Sequence, residues 1–196
     1  MLIVLRHGRT TANASGLLLG RADPPLDDVG RAQAVAAAAA LGPVDRVVSS
    51  PLARCRETAA GFGVEVEIDD RWIELDYGEW DGQAFAGVPA EVWDAWRADI
   101  DFSPPGGEPL SALGRRVRSA AGDLADEARE HTVVVVTHVS PIKALLAWAL
   151  GVGDEIAWRA YVAPASVTRV AVGPRGPSLV GFNHTGHLDG LERARP

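Results

Sequence analysis

Two short aliphatic runs constrain this chain more than any other feature. Leu2-Ile3-Val4-Leu5 breaks off at Arg6-His7-Gly8, and Val133-Val134-Val135-Val136 breaks off at Thr137-His138. A strand with one wet face alternates apolar and polar residues, whereas an unbroken run of this length is a strand buried on both faces. Such strands need helices above and below them. The helical segments between the strands therefore predict an α/β fold, a three-layer sandwich with a central, mostly parallel sheet.

Turn and cap signals divide the rest. Residues 27–41 are alanine-rich, close on Gly42-Pro43 and read as a helix. Residues 45–48 read as a strand, and Ser49-Ser50-Pro51 as the start of a helix reaching about Ala60. Residues 64–68 alternate apolar and acidic, as a strand nearer an edge does. Residues 69–109 hold four of the six tryptophans, a helix at 90–97 and the turn Pro104-Pro105-Gly106-Gly107; they read as an insertion over one end of the sheet within a single domain. A long amphipathic helix is expected at 110–130, the most central strand at 132–136 and a helix at 141–150 stopped by Gly151. Terminal strands are expected at 160–162, 166–172 and 179–182.

Composition excludes several function classes. Nineteen basic against twenty-six acidic residues leave a net charge of −7, which disfavours binding to a nucleic acid backbone. No apolar run approaches the roughly 20 residues that cross a bilayer, and the run after Met1 is too short for a signal peptide. No membrane partner and a cytoplasmic location are the expectation. Cys55 is the only cysteine, so an intramolecular disulfide or cysteine-based zinc site is impossible, and it reads as a small apolar helix residue. Lys143 is the only lysine, which reads as a compositional skew.

Polar clusters stand at the expected strand ends: Arg6 to Thr10, Ser49 to Arg54, Glu74 to Gly82, and Thr137-His138. In open α/β sheets the carboxyl ends of the strands line the ligand crevice. Histidines, arginines and a carboxylate gathered there suit a phosphate, because guanidinium forks match its oxygens and imidazole can attack phosphorus.

Leu5-Arg6-His7-Gly8-Arg9-Thr10 resembles the signature of the histidine phosphatase, or phosphoglycerate-mutase-like, superfamily. Ser49-Ser50-Pro51-Leu52-Ala53-Arg54, the segment Glu74 to Gly82, Val136-Thr137-His138 and the closing Asn183-His184-Thr185-Gly186-His187-Leu188 resemble its further motifs in the same order. The resemblance implies that His7 is the nucleophile of a phosphohistidine intermediate, while Arg6, Arg54 and His138 hold the phosphoryl oxygens. Glu74 would protonate the leaving oxygen and then deprotonate the attacking water. Thr10 and Asn13 match phosphate-binding positions, Gly20 lies where backbone approaches substrate, and Val139 belongs to the substrate side. His7 must be neutral to attack, and the arginines disfavour its protonated form. They also supply the positive charge, so neither metal nor cofactor is expected.

Some positions depart from the family pattern. Arg9 replaces a usual Glu or Gln and faces either substrate or solvent. Trp93 and Trp96, three apart, read as core packing, and His184 with His187 lacks further metal ligands. Leu75 stands where mutases carry Arg after the catalytic Glu, and residues 83–109 contain a single arginine, Arg97. Both favour hydrolysis. Val139-Ser140-Pro141-Ile142-Lys143 resembles the actinobacterial acid phosphatase domains related to α-ribazole phosphatase. The implied partner is a small-molecule phosphate ester, with the protein a monomer or homodimer. A mutase, a protein-phosphotyrosine phosphatase and a non-catalytic phosphoryl-binding module are the alternatives.

Overall fold

Successive side chains of a strand point to opposite faces, so a run apolar at every position must feed two cores. The computed structural model, which describes residues 1–191, has six strands: β1 (Leu2–Arg6), β2 (Arg46–Ser49), β3 (Val66–Ile68), β4 (Val133–Thr137), β5 (Val167–Gly173) and β6 (Gly176–His184). They form one sheet in the order β3-β2-β4-β1-β5-β6. The first four run parallel, and β5 and β6 add on antiparallel beside β1. The helices are α1 (Thr11–Ala14), α2 (Asp28–Leu41), α3 (Ala53–Ala60), α4 (Ala90–Ala98), α5 (Leu110–Ala125) and α6 (Val139–Leu150).

The two aliphatic runs split between the faces as their period demands. Leu2, Val4, Val133 and Val135 pack with Leu113 and Val117 of α5 and Ile142 and Leu145 of α6. Ile3, Leu5, Val134 and Val136 pack with Ala37 of α2 and with Cys55 and Ala59 of α3. Cys55 thus fills the small apolar place expected of it. The sandwich, its mostly parallel sheet and the edge position of β3 agree with the sequence.

Several boundaries differ, each for a visible reason. Ser49-Ser50-Pro51 does not start α3, because Ser50 Oγ pairs with His138 Nε2 at 2.7 Å. Instead, Asp23 from a distant loop accepts the Ala53 amide at 2.8 Å and caps the helix there. Helix α5 ends at Ala125 and tightens into a 3₁₀ turn, Glu127–Arg129, which buries Ala128. Helix α6 begins two residues before Pro141, which then sits in the first turn, where no amide donor is needed. Residues 160–162 form no strand: the Val162 carbonyl accepts from Arg6 Nη1 and the Ala163 amide donates to Asn183 Oδ1, both at 2.7 Å. The Val162 carbonyl and the neighbouring Ala163 amide are thus taken by side chains. Strand β6 is longer than expected because its hairpin with β5 carries pairing out to His184.

Candidate active site

Strand register assembles the site. Arg6 lies opposite Thr137, and Ser49 opposite Val136, so His7, Ser50 and His138 leave the sheet along one edge. The His7 amide donates to the Thr137 carbonyl at 2.9 Å, and the His7 carbonyl accepts from the Ala165 amide at 3.0 Å. Glycine at position 8 is a packing requirement, since a Cβ there would stand 2.4 Å from the Gly30 carbonyl oxygen at the start of α2.

His7 Nδ1 lies 2.7 Å from the Gly8 carbonyl oxygen. A carbonyl only accepts, so Nδ1 carries the proton and Nε2 keeps its lone pair. Burial, followed by the charges of Arg54 and Arg6, holds the His7 pKa well below the usual histidine value of 6.5. The ring is therefore held neutral, with Nε2 unprotonated.

Arg6 donates from Nη1 to Val162, while its buried Nε has no hydrogen-bond partner among the described residues. A desolvated donor without an acceptor is costly, and an anion would satisfy it. Arg54 is fully buried. Its Nη2 and Nη1 donate to the Gly20 and Ala22 carbonyls at 2.7 Å, and Nε donates to His138 Nδ1 at 3.3 Å. Three of its five N–H groups are thereby spent, and two remain. Because His138 Nδ1 accepts, its Nε2 carries the proton and donates to Ser50. His138 stacks edge-on behind His7 with ring centroids 5.2 Å apart, and burial with the Arg54 charge keeps it neutral too.

Glu74 comes from the other side of the sheet edge and is almost wholly buried. Its Oε1 accepts from the Leu75 amide at 2.8 Å and the Ser140 amide at 3.1 Å; Oε2 accepts from the Val139 amide at 3.1 Å. The carboxylate thus sits on the first amides of α6, which fix its orientation. Arg116 of α5 fixes the loop that carries it, donating to the carbonyls of Arg71, Ile73 and Glu74 and to Glu108. Sequence reasoning missed Arg116, which carries no motif signal beyond its place on an amphipathic helix.

A cavity of about 510 Å³ opens onto this edge. Arg6, His7, Asn13, Glu74 and Val139 line it, whereas Arg54, His138, Thr10 and Gly20 are buried and are not among its lining residues. Thr10 caps α1 and, through its amide and hydroxyl, holds Asn13 Oδ1 at 3.1 and 3.0 Å, leaving the Asn13 amide NH₂ to donate. Asp81 accepts the amides of Gly20, Arg21 and Ala22 at 2.7–2.9 Å, so Gly20 is gripped from both sides, by Asp81 and Arg54. Tyr77, Phe85, Lys143 and Tyr161 also line the cavity and were not singled out from sequence.

Other candidates turn elsewhere. Arg9 faces neither substrate nor open solvent but pairs with Asp27, the cap of α2, at 2.8 Å. Trp96 is buried and stacks on Trp93 at 5.6 Å, and Trp93 in turn supports Phe85 of the cavity wall at 6.0 Å. His187 bonds the Ala165 carbonyl, and no group of three or more metal-ligating side chains gathers among the described residues.

Known proteins resemble this chain in sequence and fold. The chain is 37% identical over 198 residues to a bifunctional protein of Mycobacterium tuberculosis, covering 95% of this chain and 54% of that one. The chain thus spans about half the length of that relative. Phosphoserine phosphatase 1 of Hydrogenobacter thermophilus is 31% identical over 199 residues, 95% of this chain and 93% of its own. The structure of Entamoeba histolytica phosphoserine phosphatase in complex with 3-phosphoglyceric acid superposes with a TM-score of 0.88 at 26% identity, covering 95% of this chain and 98% of that one. The sequence profile of the histidine phosphatase superfamily (branch 1) matches residues 2–185, and the chain belongs to that superfamily.

Proposed function

We propose that this protein is a phosphomonoesterase of the acid phosphatase type, hydrolysing a small-molecule phosphate ester through a phosphohistidine on His7. One observation carries the reading: a neutral imidazole whose Nε2 lone pair opens into a cavity beside two buried guanidinium groups. Attack by Nε2 forms a P–N bond as the P–O ester bond breaks, and Glu74 gives its proton to the departing oxygen. Water then attacks phosphorus, the P–N pair returns to Nε2, and Glu74 takes the water's proton. Arg6 Nε, the remaining Arg54 N–H groups and the Asn13 amide offer donors to the equatorial phosphoryl oxygens, where charge accumulates. His138 and Gly20 orient Arg54, Thr10 orients Asn13, and the Val139 amide orients Glu74.

Similarity to a phosphoserine phosphatase over nearly the whole chain supports hydrolysis over mutase transfer. A nucleophile that stays neutral at mildly acidic pH supports the acid phosphatase assignment. We read residues 1–196 as one histidine phosphatase domain with residues 69–109 as a substrate-side insertion, and propose a cytoplasmic location and a monomer or homodimer. Among the described residues no helix is long and apolar enough to cross a membrane.

The test is turnover of p-nitrophenyl phosphate by the wild type and by His7→Ala. We expect turnover only in the wild type, together with a phosphorylated peptide containing His7 after quenching without acid. The His7 ring bonds only the neighbouring Gly8 carbonyl, so the variant should fold. Full activity in His7→Ala would overturn the assignment.

A further inference from the structure

The closing motif, Asn183 to Leu188, is left unused by the hydrolytic chemistry. Two of its side chains grip the segment at residues 160–165. Asn183 Oδ1 accepts the Ala163 amide at 2.7 Å, and His187 Nε2 donates to the Ala165 carbonyl at 3.0 Å. The same segment reaches the reacting groups. Its Val162 carbonyl accepts from Arg6 Nη1 at 2.7 Å, and its Ala165 amide donates to the His7 carbonyl at 3.0 Å.

The segment needs such a grip. A second cavity, of about 190 Å³, is lined by Gln33, Ala163, Pro164, Asn183 and Thr185, and Tyr161 and Pro164 line both this cavity and the reaction cavity. At these residues the segment is a partition with open space beside it instead of close-packed neighbours, so hydrogen bonds set its place. Ala165 and Asn183 also hold left-handed backbone, at φ +53° and +57°. Asparagine tolerates that conformation, whereas alanine keeps it only where its surroundings over-determine it. At Ala165 both backbone groups are bound, the amide to His7 and the carbonyl to His187.

We propose that Asn183 and His187 are positioning residues of the phosphatase reaction, which act through residues 162–165 to fix how the Arg6 guanidinium and the His7 backbone face the phosphoryl group. This rests on the phosphatase reading above. Arg6 spends Nη1 on Val162 and leaves Nε for a phosphoryl oxygen. A guanidinium is a rigid plane, so a shift of the Val162 carbonyl re-aims Nε as well. Loss of either grip therefore weakens the hold on phosphate itself, whatever the leaving group, and so differs from loss of Glu74.

The experiment measures the Kd for inorganic phosphate by calorimetry, and kcat/KM for p-nitrophenyl phosphate and glycerol 3-phosphate. Glycine suits left-handed backbone, so Asn183→Gly removes the acceptor without adding strain. Asn183→Gly and His187→Ala should each raise the phosphate Kd by about 10-fold, within the range of one charge-assisted hydrogen bond, and lower kcat/KM for both esters by the same factor. Asn183→Asp and His187→Gln, which keep the acceptor and the donor, should restore most of the affinity. A phosphate Kd unchanged in Asn183→Gly overturns the proposal. So does a Kd raised equally in Asn183→Gly and Asn183→Asp, because the hydrogen bond would then not be the cause. A loss confined to glycerol 3-phosphate overturns it by placing the segment under Glu74, and an Asn183→Gly chain that fails to fold does so by assigning the side chain to the fold. A wild type that turns over neither ester refutes the phosphatase reading, while the phosphate Kd still judges Asn183 and His187 separately.

Discussion

Glu74→Gln separates the proton-transfer role proposed for this residue from its structural one. The carboxylate accepts three backbone amides, from Leu75, Val139 and Ser140. Glutamine keeps one oxygen, which best serves Leu75 and Ser140, and turns its NH₂ toward the Val139 N–H. One buried donor is then unsatisfied, at about 1–3 kcal/mol. For a chain of this length that lowers Tm by roughly 2–12 °C, so the variant stays folded at assay temperature. Chemistry should suffer more. A sugar phosphate leaves as an alkoxide unless protonated, and loss of the acid should lower its kcat/KM by about 10²–10⁴-fold. p-Nitrophenolate departs without a proton, so its kcat/KM should fall much less. The comparison belongs in kcat/KM, which reports phosphorylation of His7. Hydrolysis of the phosphohistidine is common to both esters, and its slowing lowers kcat for each. Asp76, Glu79 and Asp81 are the controls. Asp76 bonds the Gly78 amide and pairs with Arg21, Glu79 is exposed, Asp81 holds the loop at residues 20–22, and none lines the cavity. Equal losses in kcat/KM for both esters, or leaving-group discrimination in Asp76→Asn instead, would refute the assignment of Glu74 as the acid.

Stability should fall in mild acid, because His7 and His138 are held neutral in the fold while the unfolded chain protonates both near pH 6.5. The unfolded state then binds more protons, so stability is full above that value. Below it, each histidine costs up to about 1.4 kcal/mol per pH unit. Thermal melts from about pH 7.5 to 5 check this, and a flat Tm refutes it. Gly8→Ala would place Cβ 2.4 Å from the Gly30 carbonyl oxygen, so the loop or α2 must shift. That should cost about 1–3 kcal/mol, visible as a lower Tm, and an unchanged melt would show the approach to be looser. Turnover should persist in excess EDTA, because Arg6 and Arg54 supply the charge stabilisation that metal ions supply elsewhere. Loss in EDTA with recovery on adding magnesium would refute that account.

The sheet was legible because its central strands are apolar at every position, a pattern set by burial on both faces. Arg6, His7, Arg54, Glu74 and His138 were legible as a set because they stand in motifs at strand ends, and the structure brings them to one edge. What stayed hidden depends on contacts between distant segments. Ser50 looked like a helix cap because local sequence cannot show that His138, 88 positions away, takes its hydroxyl. Residues 160–162 looked like a strand because Ala160-Tyr161-Val162 is apolar; nothing local shows that Arg6 takes the Val162 carbonyl and Asn183 the next amide, that of Ala163. Lys143 looked like an accident of composition, since one lysine on a helix says nothing until the cavity beside it is known. Arg9 was undecidable between two exposures because its partner, Asp27, was read only as part of a helix start.

The packing of the core and the geometry of the site are set by the same register. Leu2 pairs with Val133 and Arg6 with Thr137, and this pairing sends Leu2 and Val4 to one helical layer and Ile3 and Leu5 to the other. A slip of one residue in β1 would exchange those layers, because side chains alternate with period two. It would also advance or retract His7 by about 3.3 Å, one strand residue. That distance exceeds the 2.9 Å hydrogen bond by which the His7 amide meets the Thr137 carbonyl at the end of β4. Neither can be changed alone. The aliphatic run that fixes the fold also fixes where His7 stands, so substitutions in β1 or β4 that keep volume but loosen register should lower activity before they lower Tm.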